Sequence, residues 1–254
     1  MIALITGASS GIGRDMAREL AKRGYDLALV ARNEEGLTNL KTELEKEYED
    51  IHITTHAFDL SFQENCEELH KQVPEVDILI NNAGFGLFGE FTETDLHKEM
   101  NMVGTNVTAV HMLTKLYLQD MVNKDKGHIL NVASIAGFMP GPLMATYYAS
   151  KNYVVALTRA IRQELKKDGS HVKLSLLCPG PVNTNFNNVA DVQFSLRGLS
   201  SEYVAKYAIE KMLSGKFMIV PGTMVKIGRA LSEVIPDAIT EKFAHKAQTR
   251  KQEK

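Results

Sequence analysis

The chain has 254 residues, of which 44% are hydrophobic and 24% are charged. This length permits one or two domains, and because no linker-like segment or shift in composition divides the sequence, we expect one. The formal net charge of −2 does not favour a nucleic acid or another polyanion as a partner.

The first predicted element is a buried strand over residues 2–6, and a glycine-rich loop follows it. The loop contains three glycines and three small hydroxyl residues, and apolar residues at helical spacing follow: Thr6-Gly7-Ala8-Ser9-Ser10-Gly11-Ile12-Gly13, then Met16 and Leu20. A strand, a glycine-rich loop and a helix together present backbone N–H groups to an anion. We therefore predict a phosphate-binding loop, although its glycine spacing is not G-x-G-x-x-G. A tight turn that merely connects strand to helix is the alternative.

Short apolar runs then alternate with helical patterns along the chain. The predicted strands are 2–6, 26–31, 51–58, 76–81, 127–133, 171–178 and 216–220. Three helical stripes between them are interpreted as core: Leu37, Leu40, Leu44 and Tyr48; Val107, Val110, Leu113, Tyr117 and Met121; Val154, Leu157, Ile161 and Leu165. This alternation predicts an α/β, doubly wound fold, with a seven-stranded, mostly parallel sheet and helices on both faces. Ligands of such sheets bind beyond the carboxyl ends of the strands.

Near mid-chain, Tyr147 and Lys151 lie four residues apart, so a helix would place them on one face. A phenol alone keeps its proton until about pH 10. A neighbouring ammonium favours the phenolate, and we therefore expect Lys151 to lower the pKa of Tyr147 and to make it a usable acid. Because this spacing also occurs by chance, an exposed surface pair is the alternative.

Taken together, the motifs resemble those of the short-chain dehydrogenase/reductase family. That family carries Thr-Gly-x-x-x-Gly-x-Gly at its first strand and Tyr-x-x-x-Lys near mid-chain. The resemblance spans roughly residues 2–185. It also includes Asn81-Asn82-Ala83-Gly84, Asn106, Ser134 thirteen residues before Tyr147, and Pro179-Gly180 followed by Thr184.

The resemblance implies an oxidoreductase that transfers hydride between a nicotinamide cofactor and a carbonyl or alcohol group. Tyr147 would act as general acid/base, Ser134 would polarise the carbonyl, and Lys151 would also hold the nicotinamide ribose. Asn106 would help to hold a water beside Lys151. The cofactor-binding positions it implies are Gly7, Ser9, Ser10, Gly11, Ile12, Gly13, Arg32, Asp59, Leu60, Asn82, Ala83, Gly84, Tyr147, Lys151, Pro179, Gly180, Val182 and Thr184.

The end of the second strand bears on cofactor choice. NAD-preferring relatives place an acidic residue where this chain has Ala31, and Arg32 follows. An arginine fork suits a 2′-phosphate, so we predict NADP(H) as the preferred cofactor, with NAD(H) possible. A surface pair of Arg32 with Glu34 or Glu35 is the alternative. Asp59 would accept from the adenine amine by resemblance, or serve only as a helix N-cap.

The substrate side carries a weaker pattern. Aromatic and methionine side chains near the cofactor edge predict an apolar cavity for a lipophilic ketone or aldehyde. The substrate-binding residues predicted are Ser134, Tyr147, Phe85, Phe138, Met139 and Phe186, with Phe88 and Phe194 nearby. We expect residues 185–200 to fold over the site as a lid. An NAD-dependent alcohol or steroid dehydrogenase, or a catalytically idle nucleotide-binding regulatory protein, is the alternative function.

The last part of the chain departs from common relatives. Residues 223–250 predict a helical extension broken at Pro236. This departure disfavours the tetramer of common members, and family resemblance suggests a dimer through helices 104–122 and 146–166. The extension would pack on the domain or on a second subunit.

No metal site and no membrane span are predicted. The eight histidines and two cysteines show no ligand spacing of the His-x-x-x-His or Cys-x-x-Cys kind. Cys66 and Cys178 fit buried thiols in a reducing compartment. Because the sequence begins with a predicted strand, we expect no signal peptide. Because no apolar run reaches about 18 residues, we expect no transmembrane helix. We therefore expect a cytoplasmic protein.

Overall fold

The computed structural model describes residues 1–184 and 198–222. Within them, seven parallel strands form one sheet in the order β3-β2-β1-β4-β5-β6-β9. Their bounds are β1 Ile2–Thr6, β2 Asp26–Ala31, β3 Ile53–Ala57, β4 Ile78–Asn81, β5 His128–Val132, β6 Lys173–Leu177 and β9 Met218–Ile219. A separate two-stranded parallel sheet pairs β7 (Val182–Asn183) with β8 (Leu199–Ser200).

Helices connect the strands. They are α1 Gly11–Ala21, α2 Glu34–Glu47, α3 Gln63–Gln72, α4 Leu96–Val103, α5 Val110–Asn123, α6 Ala145–Lys167 and α7 Ser201–Leu213. A π-helical segment, Gly104–Ala109, joins α4 to α5, and a 3₁₀ turn, Ile135–Phe138, follows β5. Of the predicted second stripe, Val110, Leu113, Tyr117 and Met121 are buried, whereas Val107 lies in the π-helical segment and is half-buried.

The core lies on both faces of the sheet because successive strand residues point to opposite sides. Ile5 and Leu29 belong to a cluster with α1, α2 and α7, whereas Leu4 and Val30 belong to a second cluster with α3 and α5. Such double burial explains why the strands are continuous apolar runs instead of alternating patterns.

The predicted fold class is confirmed, and each of the seven predicted strands overlaps an observed one. The α2 stripe Leu37, Leu40 and Leu44 is buried. Most of the predicted lid and the extension 223–250 lie outside the described residues, so the single-domain prediction remains a prediction for the whole chain. Across residues 1–184 and 198–222, no helix has the length and apolarity needed to traverse a lipid bilayer.

Candidate active site

The candidate site lies where the strand order reverses, between β1 and β4. There Thr6 Oγ1 accepts hydrogen bonds from the backbone N–H groups of Asn82 and Ala83, both at 2.9 Å. In return, Asn82 Nδ2 donates to the Thr6 carbonyl at 2.9 Å. The side chain of Asn82 therefore fixes the glycine-rich loop relative to the loop that follows β4.

The glycine-rich loop presents an open helix N-terminus. Gly7 has a φ of +68°, which favours glycine, and a Cβ there would approach Asn82 Nδ2 to 2.8 Å. The N-cap residue of α1, Ser10, makes no side-chain capping bond, and the first turn carries no acidic residue. Its N–H groups and the positive end of the helix dipole are therefore suited to an anionic group.

Tyr147 and Lys151 lie in the first two turns of α6. The side chains of Tyr147 and Ser134 are hydrogen-bonded. Lys151 is only 4% exposed; its Nζ donates to the Val132 carbonyl at 3.1 Å and lies 5.9 Å from the centroid of the Tyr147 ring. Ser134 Oγ also accepts from Ala136 N at 3.1 Å, which orients it at the end of β5. The structure thus brings three of the four predicted catalytic side chains together.

Burial determines the direction in which the pKa values of Tyr147 and Lys151 shift. It raises the pKa of Tyr147 to about 12, against the hydrogen bond from Ser134, which lowers it. Burial also lowers the pKa of Lys151 to about 8. The expectation that Lys151 lowers the pKa of Tyr147 is therefore wrong, because burial disfavours the charge on both groups.

Asn106, the fourth predicted catalytic residue, is fully buried in the π-helical segment. Its Oδ1 accepts from Phe85 N at 3.1 Å, and its Nδ2 donates to Phe85 O at 2.9 Å and to Ser150 Oγ at 3.1 Å. Ser150 Oγ in turn donates to the Tyr147 carbonyl at 2.6 Å. Asn106 thereby links the loop after β4 to the start of α6.

A cavity of about 520 Å³ joins the glycine-rich loop to these side chains. All of the predicted cofactor-binding residues except Gly13 line it: Gly7, Ser9, Ser10, Gly11, Ile12, Arg32, Asp59, Leu60, Asn82, Ala83, Gly84, Tyr147, Lys151, Pro179, Gly180, Val182 and Thr184. Of the predicted substrate residues, Phe85, Ser134 and Tyr147 line it as well.

The remaining predicted residues lie elsewhere. Gly13 is buried beneath the loop, where a Cβ would overlap with Asn82 Nδ2 and Gly7 O. Phe138 packs against a cluster that includes Val110 and Val154, and neither Phe138 nor Met139 is among the described residues that line the cavity. Their assignment as substrate-binding residues stays a prediction. Phe186 lies outside the described residues, as does Phe194.

Arg32 and Asp59, which follow β2 and β3, line one part of the cavity. Arg32 Nη1 lies 3.9 Å from Asp59 Oδ2, and its guanidinium carbon lies 5.8 Å from the centre of the Phe85 ring. The Arg32 side chain is 58% exposed, so this ion pair is weak. Asp59 Oδ1 accepts from the N–H and hydroxyl of Ser61, whereas the N-cap of α3 is Phe62. Asp59 is therefore not the helix N-cap that was the alternative.

Three lining or supporting residues were not identified from the sequence. Ser150 relays the contact from Asn106 to Tyr147, and Tyr148 lines the cavity beside Tyr147. Thr105 also lines it, is 9% exposed, and has a hydroxyl without a hydrogen-bond partner among the described residues. An orphaned buried hydroxyl in a cavity indicates a polar group of a ligand. The only sequence signal was their proximity to Asn106 and Lys151.

The described residues hold no group of three or more histidine, cysteine, aspartate or glutamate side chains that could bind a metal ion. The unfilled N-terminus of α1, the glycine at position 7 and the hydroxyl of Thr105 instead fit an extended phosphate-containing ligand.

Comparison with known proteins identifies the family of this site. The family model for short chain dehydrogenases matches residues 1–193. A very-long-chain 3-oxoacyl-CoA reductase of Laccaria bicolor is 35% identical over 177 residues, which cover 67% of this chain and 52% of that protein. The chain thus spans about half the length of that relative.

Two solved structures share the fold over nearly the whole chain. A short-chain dehydrogenase from Sphingobium yanoikuyae in complex with NADPH has a TM-score of 0.82 at 26% identity, covering 93% of this chain and 97% of that one. A short-chain dehydrogenase/reductase from Burkholderia phymatum in complex with NAD has a TM-score of 0.81 at 27% identity, covering 91% and 92%.

Proposed function

The chain belongs to the short-chain dehydrogenase/reductase family, and from that membership we propose that it is an NADPH-dependent reductase of lipophilic ketones or aldehydes. The observation that carries the proposal is the position of Tyr147. Its phenol is hydrogen-bonded to Ser134 and lies beside Lys151 in a cavity that begins at the glycine-rich loop.

The cofactor would lie along this cavity. Its pyrophosphate would be held by the N–H groups at the start of α1, and Thr105 would satisfy its hydroxyl on a polar group of the nucleotide. The nicotinamide supplies the hydride when it is bound. Pro179, Gly180 and Thr184 line the cavity and would flank its reactive end.

The side chains of the site would handle the carbonyl oxygen. Ser134 would donate a hydrogen bond to the oxygen as negative charge develops on it. Tyr147, which burial keeps protonated over the physiological pH range, would transfer its proton to the same oxygen. The Lys151 ammonium would stabilise the resulting phenolate. Because Lys151 is buried, water would not compete for this interaction.

The preference for NADPH is supported by the end of β2. Ala31 lines the cavity and Arg32 follows it at the mouth. No carboxylate occupies position 31, and Arg32 is exposed enough to turn toward a 2′-phosphate. The NAD complex of the Burkholderia relative favours the second reading, an NAD-dependent alcohol or steroid dehydrogenase.

The lipophilic substrate is supported by the apolar wall at the catalytic end of the cavity. Met144 and Tyr148 line the cavity, and both tyrosines, Tyr147 and Tyr148, pack against Met144; such walls exclude water from the reacting carbonyl. The name of the Laccaria relative, a 3-oxoacyl-CoA reductase, is consistent with a keto group on an apolar chain. A dimer and a cytoplasmic location stay predictions.

A substrate screen tests the proposal. Oxidation of NADPH and of NADH is measured in parallel against aliphatic ketones, aldehydes, steroids and 3-oxoacyl thioesters. We expect turnover with NADPH and higher kcat/KM as the apolar part of the substrate grows. Turnover with NADH alone would favour the second reading. Tight nucleotide binding without turnover of any carbonyl would indicate a regulatory nucleotide-binding protein and contradict the proposal.

A further inference from the structure

Glu99 is a buried carboxylate that the proposed reaction does not use. It lies in the first turn of α4 and is 7% exposed. Burying a carboxylate is unfavourable unless its oxygens accept hydrogen bonds. A buried carboxylate is therefore expected only where both of its oxygens accept hydrogen bonds.

Both donors are threonine hydroxyls from different parts of the chain. Thr94 Oγ1 donates to Oε1, and Thr146 Oγ1 donates to Oε2 at 2.8 Å. Thr94 belongs to the loop between β4 and α4, and Thr146 is the second residue of α6, directly before Tyr147. One carboxylate thus connects the loop, α4 and the start of the catalytic helix.

The N-cap residue of α6, Met144, makes no side-chain capping bond. A carboxylate bonded to Thr146 therefore also brings negative charge to the positive end of the helix, which is a favourable arrangement. The next turn is held from the other side by Asn106 through Ser150.

The loop that carries Thr94 is also the wall beside the phenol. Phe88 of this loop packs against the buried Met144, as do Tyr147 and Tyr148, and Gly89 N donates to the Leu143 carbonyl at 2.9 Å. Displacement of either the loop or the first turn of α6 would therefore move the Tyr147 hydroxyl relative to Ser134.

We propose that Glu99 is a positioning residue for Tyr147: by binding Thr146 and Thr94 it fixes the catalytic helix and the substrate-side loop in one arrangement. The inference rests on the proposed reductase function for its kinetic readout, but its structural readout does not. Glu99 is not among the described residues that line the cavity, and the contacts through which it acts are those with its two threonines.

The test compares Glu99→Leu, Glu99→Gln and Thr146→Val with the wild type, and uses Glu93→Leu and Thr92→Val, exposed positions of the same loop, as matched controls. We expect Glu99→Leu and Thr146→Val to lower kcat about 10-fold or more, with the Kd for NADPH within twofold of wild type. Glu99→Gln keeps one carbonyl acceptor and adds an amide donor that a hydroxyl oxygen can accept, so it should recover most of kcat. The double variant Glu99→Leu, Thr146→Val should lose no more kcat than Glu99→Leu alone, since Glu99→Leu already removes the contact with Thr146.

A readout without turnover separates this inference from the proposed function. In protein labelled with ¹³Cζ-tyrosine, the Tyr147 resonance, assigned by its loss in Tyr147→Phe, should shift in Glu99→Leu and Thr146→Val and stay in place in the two controls. Folded variants whose Tyr147 resonance and kcat match wild type would overturn the inference and leave Glu99 a residue of stability only. If the wild type has no reductase activity, the proposed function fails while the resonance still decides the role of Glu99.

Discussion

The side-chain amide of Asn106 binds both polar groups of the Phe85 backbone. Oδ1 accepts from the N–H at 3.1 Å and Nδ2 donates to the carbonyl at 2.9 Å. The Asn106 side chain thus makes the pair of backbone hydrogen bonds that a neighbouring strand would make, and it does so from a π-helical turn. Such turns are frequent at functional sites, because the wider turn reorients one side chain without ending the helix.

Replacing Asn106 should affect stability and turnover together. Asn106→Ala leaves the N–H and carbonyl of Phe85 and the hydroxyl of Ser150 without this partner, and each unsatisfied buried group costs about 1–3 kcal/mol. We expect a lower midpoint of thermal unfolding and at least about 10-fold lower kcat. Asn123→Ala, at the exposed end of α5, is the control. Unchanged turnover in a folded Asn106→Ala variant would remove this residue from the machinery of the site.

Two neighbouring phenols allow a direct test of the general acid. Tyr147→Phe should lower kcat by about 10²-fold or more, the usual scale for a general acid, while the Kd for NADPH changes little. Tyr148→Phe is the matched comparison, since its ring lies 6.0 Å from that of Tyr147 and it lacks the four-residue spacing to Lys151. We expect a loss below about 10-fold there. If Tyr148→Phe caused the larger loss, the roles of the two phenols would be exchanged.

The elements of this fold were predictable because burial patterns and motif spacing are local properties. Seven apolar runs give seven strands, and parallel strands bring their carboxyl ends to one edge, so Ser9, Asn82, Ser134 and Pro179 meet there. What the sequence does not carry is which side a residue faces after the chain turns. Phe138 follows Ser134 closely, yet from its 3₁₀ turn it packs, half-buried, against the cluster that includes Val110 and Val154.

Acidity was harder to predict for the same reason. The spacing of Tyr147 and Lys151 indicates attraction between them, but desolvation depends on how completely the surrounding elements enclose both groups. The structure encloses both, and the pKa of each moves toward its neutral form. The burial of Glu99 could not be predicted either, since a glutamate in the first turn of a helix is typically exposed.

The pKa of Lys151 predicts the pH dependence of reduction. Burial lowers this pKa to about 8, so the ammonium is lost as the pH rises through about 8. Tyr147, with a pKa of about 12, stays protonated over that range. We therefore expect kcat/KM for reduction to be flat below about pH 7 and to fall above pH 8. In Lys151→Met, kcat/KM should have a lower plateau and should not fall above pH 8. A fall that persists in this variant would have to be assigned to another titrating group.

The same lysine predicts a change of stability with pH. Its pKa falls from the ordinary 10.5 to about 8 on folding, so between these values the unfolded chain binds more protons than the folded chain. By linkage, the free energy of unfolding rises with pH in this window. The destabilisation that results from burying the Lys151 charge is fully present below pH 8. The unfolding midpoint of the wild type should therefore rise relative to that of Lys151→Met between pH 8 and 10, and parallel midpoints would contradict the burial of this charge.

The cofactor preference is tested at position 31. An aspartate in place of Ala31 would bring a carboxylate to the mouth of the cavity, where it repels a 2′-phosphate and accepts from a ribose 2′-hydroxyl. We expect Ala31→Asp to lower kcat/KM with NADPH about 10- to 100-fold and to raise that with NADH. Arg32→Ala should lower only the NADPH value. Steady-state kinetics with both cofactors measures this, and an unchanged ratio would place the determinant elsewhere.

Gly13 tests whether the loop is shaped by packing beneath it. A Cβ at this position would overlap with Asn82 Nδ2 and Gly7 O, and Asn82 Nδ2 is held there by its hydrogen bond to the Thr6 carbonyl. Gly13→Ala should therefore lower the unfolding midpoint and weaken NADPH binding at least about 10-fold. Gly24→Ala is the control, because Gly24 has a φ of +75° and nothing within 4 Å of its Cβ position. Backbone strain of about 1 kcal/mol should lower its stability while its Kd for NADPH stays unchanged. A Gly13→Ala protein that binds NADPH as tightly as Gly24→Ala would show that the phosphate-binding loop does not depend on its contact with Asn82.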